Sequence, residues 1–68
     1  MDAVTKNVAA YVKNKGISIA KIARDTGIPY STLYDSLSNS DRGREIRGKE
    51  LLVVCDFLGV DPRIFAEE

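Results

Sequence analysis

Apolar side chains recur at intervals of three and four residues along most of the chain, and glycines separate one such group from the next. This periodicity predicts short amphipathic helices, because one face of an α-helix returns every ~3.6 residues. Gly16, Gly27 and Gly59 follow periodic segments, where a left-handed residue commonly ends a helix. No segment alternates convincingly with period two. We therefore predict an all-α fold of five short helices, formed as a single domain by residues 1–68.

The first two predicted helices each end at a glycine. The first spans about Ala3 to Lys15 and follows Asp2, whose carboxylate can accept from the free N–H groups of the first turn. The second spans Ser18 to Thr26, with its serine as the equivalent cap. The inward faces are expected to consist of apolar residues at helical spacing: Val4, Val8, Tyr11 or Val12, Ile22 and Ala23.

The third predicted helix runs from about Pro29 to Ser38. Proline suits its first helical position, because the missing N–H would have no partner inside the helix. Leu33 and Leu37 are four residues apart and form the inward stripe. The side chains left mostly on the outer face are Tyr30, Ser31, Tyr34 and Asp35.

Two further helices are predicted after an arginine-rich connection at residues 41–49. The fourth spans roughly Gly48 to Leu58, with a wide apolar face of Leu51, Leu52, Val54, Cys55 and Leu58. Cys55 lies on that face and is expected in the core. The fifth begins with Asp61 as a cap and Pro62 at its first position, and Ile64 and Phe65 are expected to point inward.

Composition excludes several functional classes. A chain of 68 residues has little room for an enclosed substrate pocket beside its core. One cysteine and no histidine argue against a structural zinc site. No catalytic set, nucleotide-binding glycine loop or apolar run of roughly 18 residues is evident. We expect no enzyme, no cofactor, no metal, no membrane partner and no small-molecule effector, and a cytoplasmic location.

The charges are unevenly distributed although they sum to zero. Residues 1–49 carry nine Lys/Arg against five Asp/Glu, a balance of +4, whereas residues 50–68 carry one against five, a balance of −4. The first part is therefore the better candidate for contact with an anionic partner. A mixed, solvated surface is the alternative interpretation.

The segment from residue 17 to residue 37 meets the physical requirements of a helix-turn-helix. Ala23 is small enough to let two helices cross closely, and Gly27 tolerates the positive φ that a tight turn needs. Ile28 can fill the inner corner of the turn. Leu33 and Leu37 then fix the second helix to the core and leave its other face outside.

The stretch SIAKIARDTGIPYSTLY, residues 18–34, resembles the helix-turn-helix of the phage lambda repressor and Cro family. Residues 50–52, 57–61 and 64–65 resemble that family's fourth and fifth helices, so the resemblance covers nearly the whole chain. It implies a sequence-specific, repressor-like transcriptional regulator whose third helix enters the major groove of double-stranded DNA. We also expect a homodimer, because a single small domain contacts only a few base pairs, with residues 60–65 as the dimer surface and Glu67 and Glu68 away from DNA.

The resemblance also implies which residues meet DNA. Base contacts are expected from Tyr30, Ser31 and Asp35, with Thr32 and Tyr34 as lesser candidates; the Asp35 carboxylate would accept from a cytosine amino group. Alternatively, the serine and threonine are ordinary first-turn residues and the aspartate pairs with a nearby arginine. The candidates for phosphate contact are Ser18, Ser38, Asn39, Arg42, Arg44, Arg47 and Lys49.

The chain departs from the family pattern in two places. Ile19 stands where the family often has a glutamine that binds phosphate, although backbone N–H groups could still serve there. Val12 and Leu37 stand where phage repressors of this family often have an arginine–glutamate pair. An apolar contact could replace that pair at little or no loss of stability. We therefore predict that Val12 and Leu37 touch.

A second function remains open, namely a protein-interaction module of the same fold, similar to an antitoxin or an anti-repressor. Zero net charge, Ile19 and Asp35 favour it, and so do the two tyrosines expected on the outer face of the third helix. The two functions differ in salt dependence, since a DNA-binding regulator loses affinity steeply as salt rises.

Overall fold

The computed structural model describes residues 2–38 and 43–66, which contain four α-helices and one turn of 3₁₀-helix. The helices, in chain order, are α1 (Ala3–Lys15), α2 (Ile19–Thr26), α3 (Tyr30–Leu37) and α4 (Gly48–Leu58), and the 3₁₀ turn is Pro62–Phe65. These ranges contain no strand, as the periodicity predicted. The expected number of five helices is wrong.

The predicted fifth helix is the 3₁₀ turn. Its backbone bonds span three residues, as in the 3.0 Å bond from the Ile64 N–H to the Asp61 carbonyl. The Asp61 carboxylate caps the turn as predicted and accepts from the Arg63 N–H at 2.9 Å. Phe65 is 3% exposed, but Ile64 is 48% exposed. The prediction that both point inward is wrong for Ile64, because successive residues of a 3₁₀-helix project about 120° apart.

The predicted helix caps are confirmed at α1 and α2. The Asp2 carboxylate accepts from the Thr5 N–H at 3.0 Å, and the Ser18 hydroxyl accepts from the Lys21 N–H at 3.1 Å. The helices that precede Gly16, Gly27 and Gly59 all end at these glycines, each with positive φ. The start and end of α1 and of α4 are also those predicted.

The third helix is one residue shorter at each end than predicted. Pro29 is the N-cap and not the first helical residue, because its ψ of 139° is extended. Its carbonyl accepts the first bond of the helix, from the Leu33 N–H at 3.2 Å. Ser38 lies just beyond the last turn and donates its N–H to the Tyr34 carbonyl at 2.8 Å.

The core joins all four helices, the segment before α4 and the 3₁₀ turn. Its buried apolar members are Val8, Val12, Ile22, Leu33, Leu37, Ile46, Val54, Cys55 and Phe65. Cys55 is 1% exposed, so its predicted core position is confirmed, and burial raises the pKa of its thiol. Leu52 is 60% exposed, which contradicts its predicted place on the inward face of α4. The reason is rotation: Leu52 lies about 160° around the helix axis from Val54, which faces the core.

The segment before α4 is tied to α1 through a buried polar bond. The hydroxyl of Thr5, fully buried, accepts from the backbone N–H of Ile46 at 2.9 Å. Tyr11 and Phe65 pack edge to face, with ring centroids 5.5 Å apart. These contacts hold the segment before α4 against the first turn of α1 and the 3₁₀ turn against the middle of that helix.

Val12 and Leu37 both belong to the core, and both line one groove between α1, α2 and the end of α3. The pairing of α1 with α3 that underlay their predicted contact is therefore supported, since these helices pack together. That the two side chains touch stays a prediction.

Candidate nucleic-acid interface

The turn between α2 and α3 is fixed by a glycine and a threonine. Gly27 has φ of 80°, a left-handed conformation that other residues rarely adopt, and its N–H donates to the Ala23 carbonyl at 2.9 Å. The Thr26 hydroxyl donates to the Ile22 carbonyl at 2.6 Å and accepts from the Ile28 N–H at 3.3 Å. This bridging threonine was not identified from the sequence, although a hydroxyl at a helix end is a known competitor for backbone bonds.

The inward face of α3 determines which side chains it presents outside. Leu33 is 1% and Leu37 is 9% exposed, as predicted, and Ser36 is 1% exposed as well. The helix packs against α1 and α2 through this face. Its opposite face is open to solvent and held in a fixed orientation.

That outward face carries an aromatic pair beside a hydroxyl. Tyr30 is 51% and Tyr34 is 41% exposed, and their rings stack with centroids 6.0 Å apart. Ser31 is exposed next to them. The structure thus brings these three base-contact candidates onto one surface, whereas the other two, Thr32 and Asp35, are half-buried at its border.

Arg44, a phosphate-contact candidate, is occupied within the protein. Its guanidinium donates in two parallel bonds of 2.9 Å to Glu50 and in a third bond of 2.8 Å to the Ser36 hydroxyl. Hydrogen bonding to Glu50 raises the pKa of Arg44, and the negative charge of Asp35 acts in the same direction. The guanidinium of Arg44 therefore lies against α3 and α4 and is not free at the surface. The sequence signal for this ion pair was Glu50, the third residue of α4, and it was not identified from the sequence.

The remaining phosphate-contact candidates that the structure describes fall into two groups. Arg47 and Lys49 are exposed at the start of α4, where the Arg47 N–H donates to Glu50 at 3.0 Å. Ser18 and Ser38 are exposed at the start of α2 and the end of α3. Two further candidates, Asn39 and Arg42, lie outside the described residues.

The starts and ends of three helices meet at one groove. Lys13 of α1, Ile19 at the start of α2 and Ser38 after α3 all line it. Ile19 is half-buried and packs against the core, which explains an apolar residue where the family often has glutamine. Lys13 brings an exposed ammonium group to the same groove, and this neighbour was not identified from the sequence.

The positive charges of α2 are partly neutralised within the helix itself. The Lys21 ammonium lies 3.0 Å from Asp25, and the Arg24 guanidinium lies 3.8 Å from the same carboxylate. By contrast, the side chains of Arg47 and Lys49 form no ion pair with a carboxylate of residues 2–38 and 43–66, although the charge of Arg47 contributes to lowering the pKa of Glu50. Exposed positive charge therefore remains available at the start of α4 and, through Lys13, at the groove beside the end of α3.

Other kinds of site find no support in the part of the chain that the structure describes. There, no three side chains of the histidine, cysteine, aspartate or glutamate type come together as a metal site would require. None of the helices in this part has the length and apolar composition needed to cross a bilayer.

Comparison with known proteins identifies a family. The family model of the Cro/C1-type HTH DNA-binding domain matches residues 7–63, a range that runs from the first turns of α1 into the 3₁₀ turn. No curated protein and no solved structure gives a significant match to the chain. The matched range includes the α2–turn–α3 unit and the basic start of α4.

Proposed function

The chain belongs to the Cro/C1-type HTH DNA-binding domain family, and from this premise we propose that it is a sequence-specific transcriptional regulator that binds double-stranded DNA. The proposal includes a repressor-like role in the cytoplasm and places α3 in the major groove. It is a binding function without catalysis and without a cofactor.

The observation that carries the proposal is the division of α3 into two faces. Leu33 and Leu37 fix one face in the core, so the tyrosine pair and Ser31 are held outward on a rigid helix. A major groove admits an α-helix, and its base edges carry donors, acceptors and thymine methyl groups. Tyrosine rings suit the methyl groups, and hydroxyl groups can donate or accept, so this face suits base recognition. Thr32 and Asp35 would contact bases at its border.

Phosphate contacts would supply most of the affinity, because the outward face of α3 has no basic residue. We assign them to Arg47 and Lys49 at the start of α4 and to Ser18 and Ser38 near the groove. Asn39 and Arg42 stay in the proposal on sequence grounds alone. Arg44 is left out, because its guanidinium already donates three bonds inside the protein.

Two copies are expected to act together on DNA. One α3 of eight residues can reach only a few base pairs, and pairing on two half-sites about one helical turn apart is the usual solution. The proposed operator is therefore a palindrome or an approximate one.

A protein-interaction module is the second candidate, and one observation favours it. The exposed surface of α3 consists of stacked tyrosines and hydroxyl groups with no cation among them, a composition common at protein interfaces. We place it second because exposed cations lie close by at the start of α4.

Selection from a library of random DNA duplexes, followed by sequencing, tests the proposal. The purified chain should enrich a palindromic site, and its affinity for that site should fall steeply as salt rises. The variant Ser31→Ala should select a different sequence at the positions that α3 reads, because a base-edge donor and acceptor is lost. Lys6→Ala on α1 is the folded control and should select the wild-type site.

Absence of any enriched sequence at low salt would overturn the proposal and leave the protein-interaction module as the better interpretation. An unchanged selected site for Ser31→Ala would remove that residue from the base-contacting set.

A further inference from the structure

The outward face of α4 carries a pattern that is complementary to itself. Along it lie Lys49, then Leu52 and Val53, then Asp56, and all four side chains are exposed. Positions 49 and 56 differ by only about 20° around the helix axis and are about 10 Å apart along it. Leu52 and Val53 lie between them, on either side of that line. These four side chains form a stripe along α4 in the order positive, apolar, apolar and negative.

The fold itself does not use this stripe. The core-facing side of α4 is formed by Val54 and Cys55, which are 0% and 1% exposed. Leu52 and Val53 remain 60% and 36% exposed, although both are large apolar residues. In residues 2–38 and 43–66, no ion pair involves position 49 or position 56. Two opposite charges and two apolar side chains are thus available to a partner.

We infer that a second copy of this chain covers the stripe, with the two α4 helices antiparallel about a two-fold axis. The axis passes between positions 52 and 53. Lys49 then faces Asp56 of the partner subunit, and Leu52 faces Val53 of the partner subunit. Symmetry repeats both contacts, as an interface between identical surfaces requires. A parallel arrangement would instead place like charges side by side.

This surface fits a second copy better than the one expected from the sequence, residues 60–65. There, Ile64 is exposed, but Phe65 is buried in the chain's own core. The charged groups beside it, Asp61 and Arg63, already pair with each other at 2.7 Å. That region consequently has one apolar side chain and no charge left to define an orientation, whereas α4 has both.

The inference deepens the proposed function, since it names the surface through which two copies would read two half-sites. An 11-residue helix from each copy gives an interface at the small end of specific ones. Free in solution, the dimer is thus a weak, reversible one, and a palindromic site strengthens it by holding both copies.

Sedimentation velocity without DNA, from low micromolar to millimolar protein, tests the inference. The wild-type chain should pass from monomer to dimer over this range. Lys49→Asp and Asp56→Lys each turn both symmetric ion pairs into like-charge pairs, so each should raise the dissociation constant at least about tenfold. The double variant K49D/D56K restores opposite charges in both pairs and should dimerise like the wild type.

Lys6→Asp is the matched control, because it makes the same charge reversal at an exposed position of α1 and should leave the dissociation constant unchanged. Circular dichroism confirms that each variant is folded. A wild-type chain that stays monomeric to millimolar concentration would overturn the inference, and so would a double variant no better than the single ones. A dimer that survives both single reversals would place the second copy on another surface.

The measurement does not depend on DNA binding. In the dimer Lys49 pairs with Asp56 of the partner subunit, which leaves Arg47 as the phosphate contact at the start of α4. If the duplex selection fails and the charge swap restores the dimer, then the proposed function is wrong and the dimer surface stands. If the selection succeeds and the swap does not restore the dimer, then the proposed function stands and the dimer surface is wrong.

Discussion

The guanidinium of Arg44 and the carboxylate of Glu50 meet in two parallel bonds of 2.9 Å, across the start of α4. The same guanidinium donates to the hydroxyl of Ser36, which is buried on α3. Helix α3 packs against α1 and α2, whereas α4 packs against α2 and the 3₁₀ turn. Arg44 is therefore the polar link between the proposed recognition helix and the proposed phosphate-binding end of α4.

Replacing Arg44 by alanine should lower the free energy of unfolding by about 1–3 kcal/mol. The reason is that a largely covered carboxylate loses two of its three hydrogen bonds and a buried hydroxyl loses its donor, since the side chains of Arg44 and Glu50 are only 27% and 19% exposed. Urea denaturation followed by circular dichroism measures the change.

Arg63→Ala provides the matched control for that loss. Arg63 also pairs with a carboxylate, that of Asp61, but its side chain is 89% exposed, and exposed pairs contribute little to stability. Equal effects of the two substitutions would contradict the role given to Arg44. Arg44→Lys should recover only part of the loss, because an ammonium group cannot form the two parallel bonds.

Stability should fall as the pH drops through the range in which Glu50 titrates. Hydrogen bonding from Arg44 holds the pKa of Glu50 below its ordinary value of 4.5 in the folded chain. A lowered folded-state pKa means that this stabilisation is complete above about pH 4.5, the value of the unfolded chain, and is lost as the pH falls through the folded-state value. Unfolding in urea between pH 7 and pH 3 measures the decline.

Glu50→Gln should flatten part of this acid decline and lower the stability at neutral pH. Part of the decline should remain, because the pKa of Asp2 is lowered by hydrogen bonds from Thr5 and that of Asp61 by bonds from Arg63. An acid decline that is identical in the variant and the wild type would show that the carboxylate at position 50 does not couple folding to pH.

Thr5→Val should destabilise the chain by about 1–3 kcal/mol while preserving the shape of the side chain. The substitution removes the acceptor of the Ile46 N–H and leaves that backbone group buried without a partner. Thr5→Ser keeps the hydroxyl and loses one methyl group, so its loss should be smaller. Urea denaturation followed by circular dichroism measures the stability of both variants. A valine variant as stable as the serine variant would show that the hydrogen bond from the Ile46 N–H contributes little to stability.

Local sequence signals predicted the parts of the fold that depend on local interactions. The caps Asp2, Ser18 and Asp61 act within three residues, and the glycines end helices by their own backbone freedom. Thr5 of α1 was not identified from the sequence, because its hydrogen-bond partner, Ile46, is 41 residues away. Its place three residues before Val8, on the inward stripe, was the available signal.

The wrong predictions about exposed residues and about the candidate interface have a related cause. An apolar residue in a helical segment was expected inside, but Leu52 and Ile64 are outside because their rotation around the axis leaves the core-facing side. An arginine in a loop was expected outside, but Arg44 points inward to a carboxylate and a buried hydroxyl. Composition and spacing identify residues that could face a partner, whereas the packing of α3 and α4 decides which ones are available.

Replacing Arg47 by alanine should weaken binding to every DNA sequence alike and reduce the slope of log affinity against log salt by about one. The side chain is exposed at the start of α4 and forms no ion pair with a carboxylate of residues 2–38 and 43–66, so its removal deletes one proposed phosphate contact without disturbing the core. Its backbone N–H still caps the helix through Glu50. Fluorescence anisotropy with the selected duplex and a scrambled one, at several salt concentrations, measures both effects.

Lys6→Ala removes the same charge from α1, beside Asn7, whose amide donates to the Phe65 carbonyl at the 3₁₀ turn. It should leave the salt slope nearly unchanged. If both substitutions reduced the slope equally, the affinity would come from general positive charge and not from the start of α4. If Arg47→Ala changed the preferred sequence as Ser31→Ala should, then the arginine would contact bases, and the division between base contacts from α3 and phosphate contacts from α4 would be wrong.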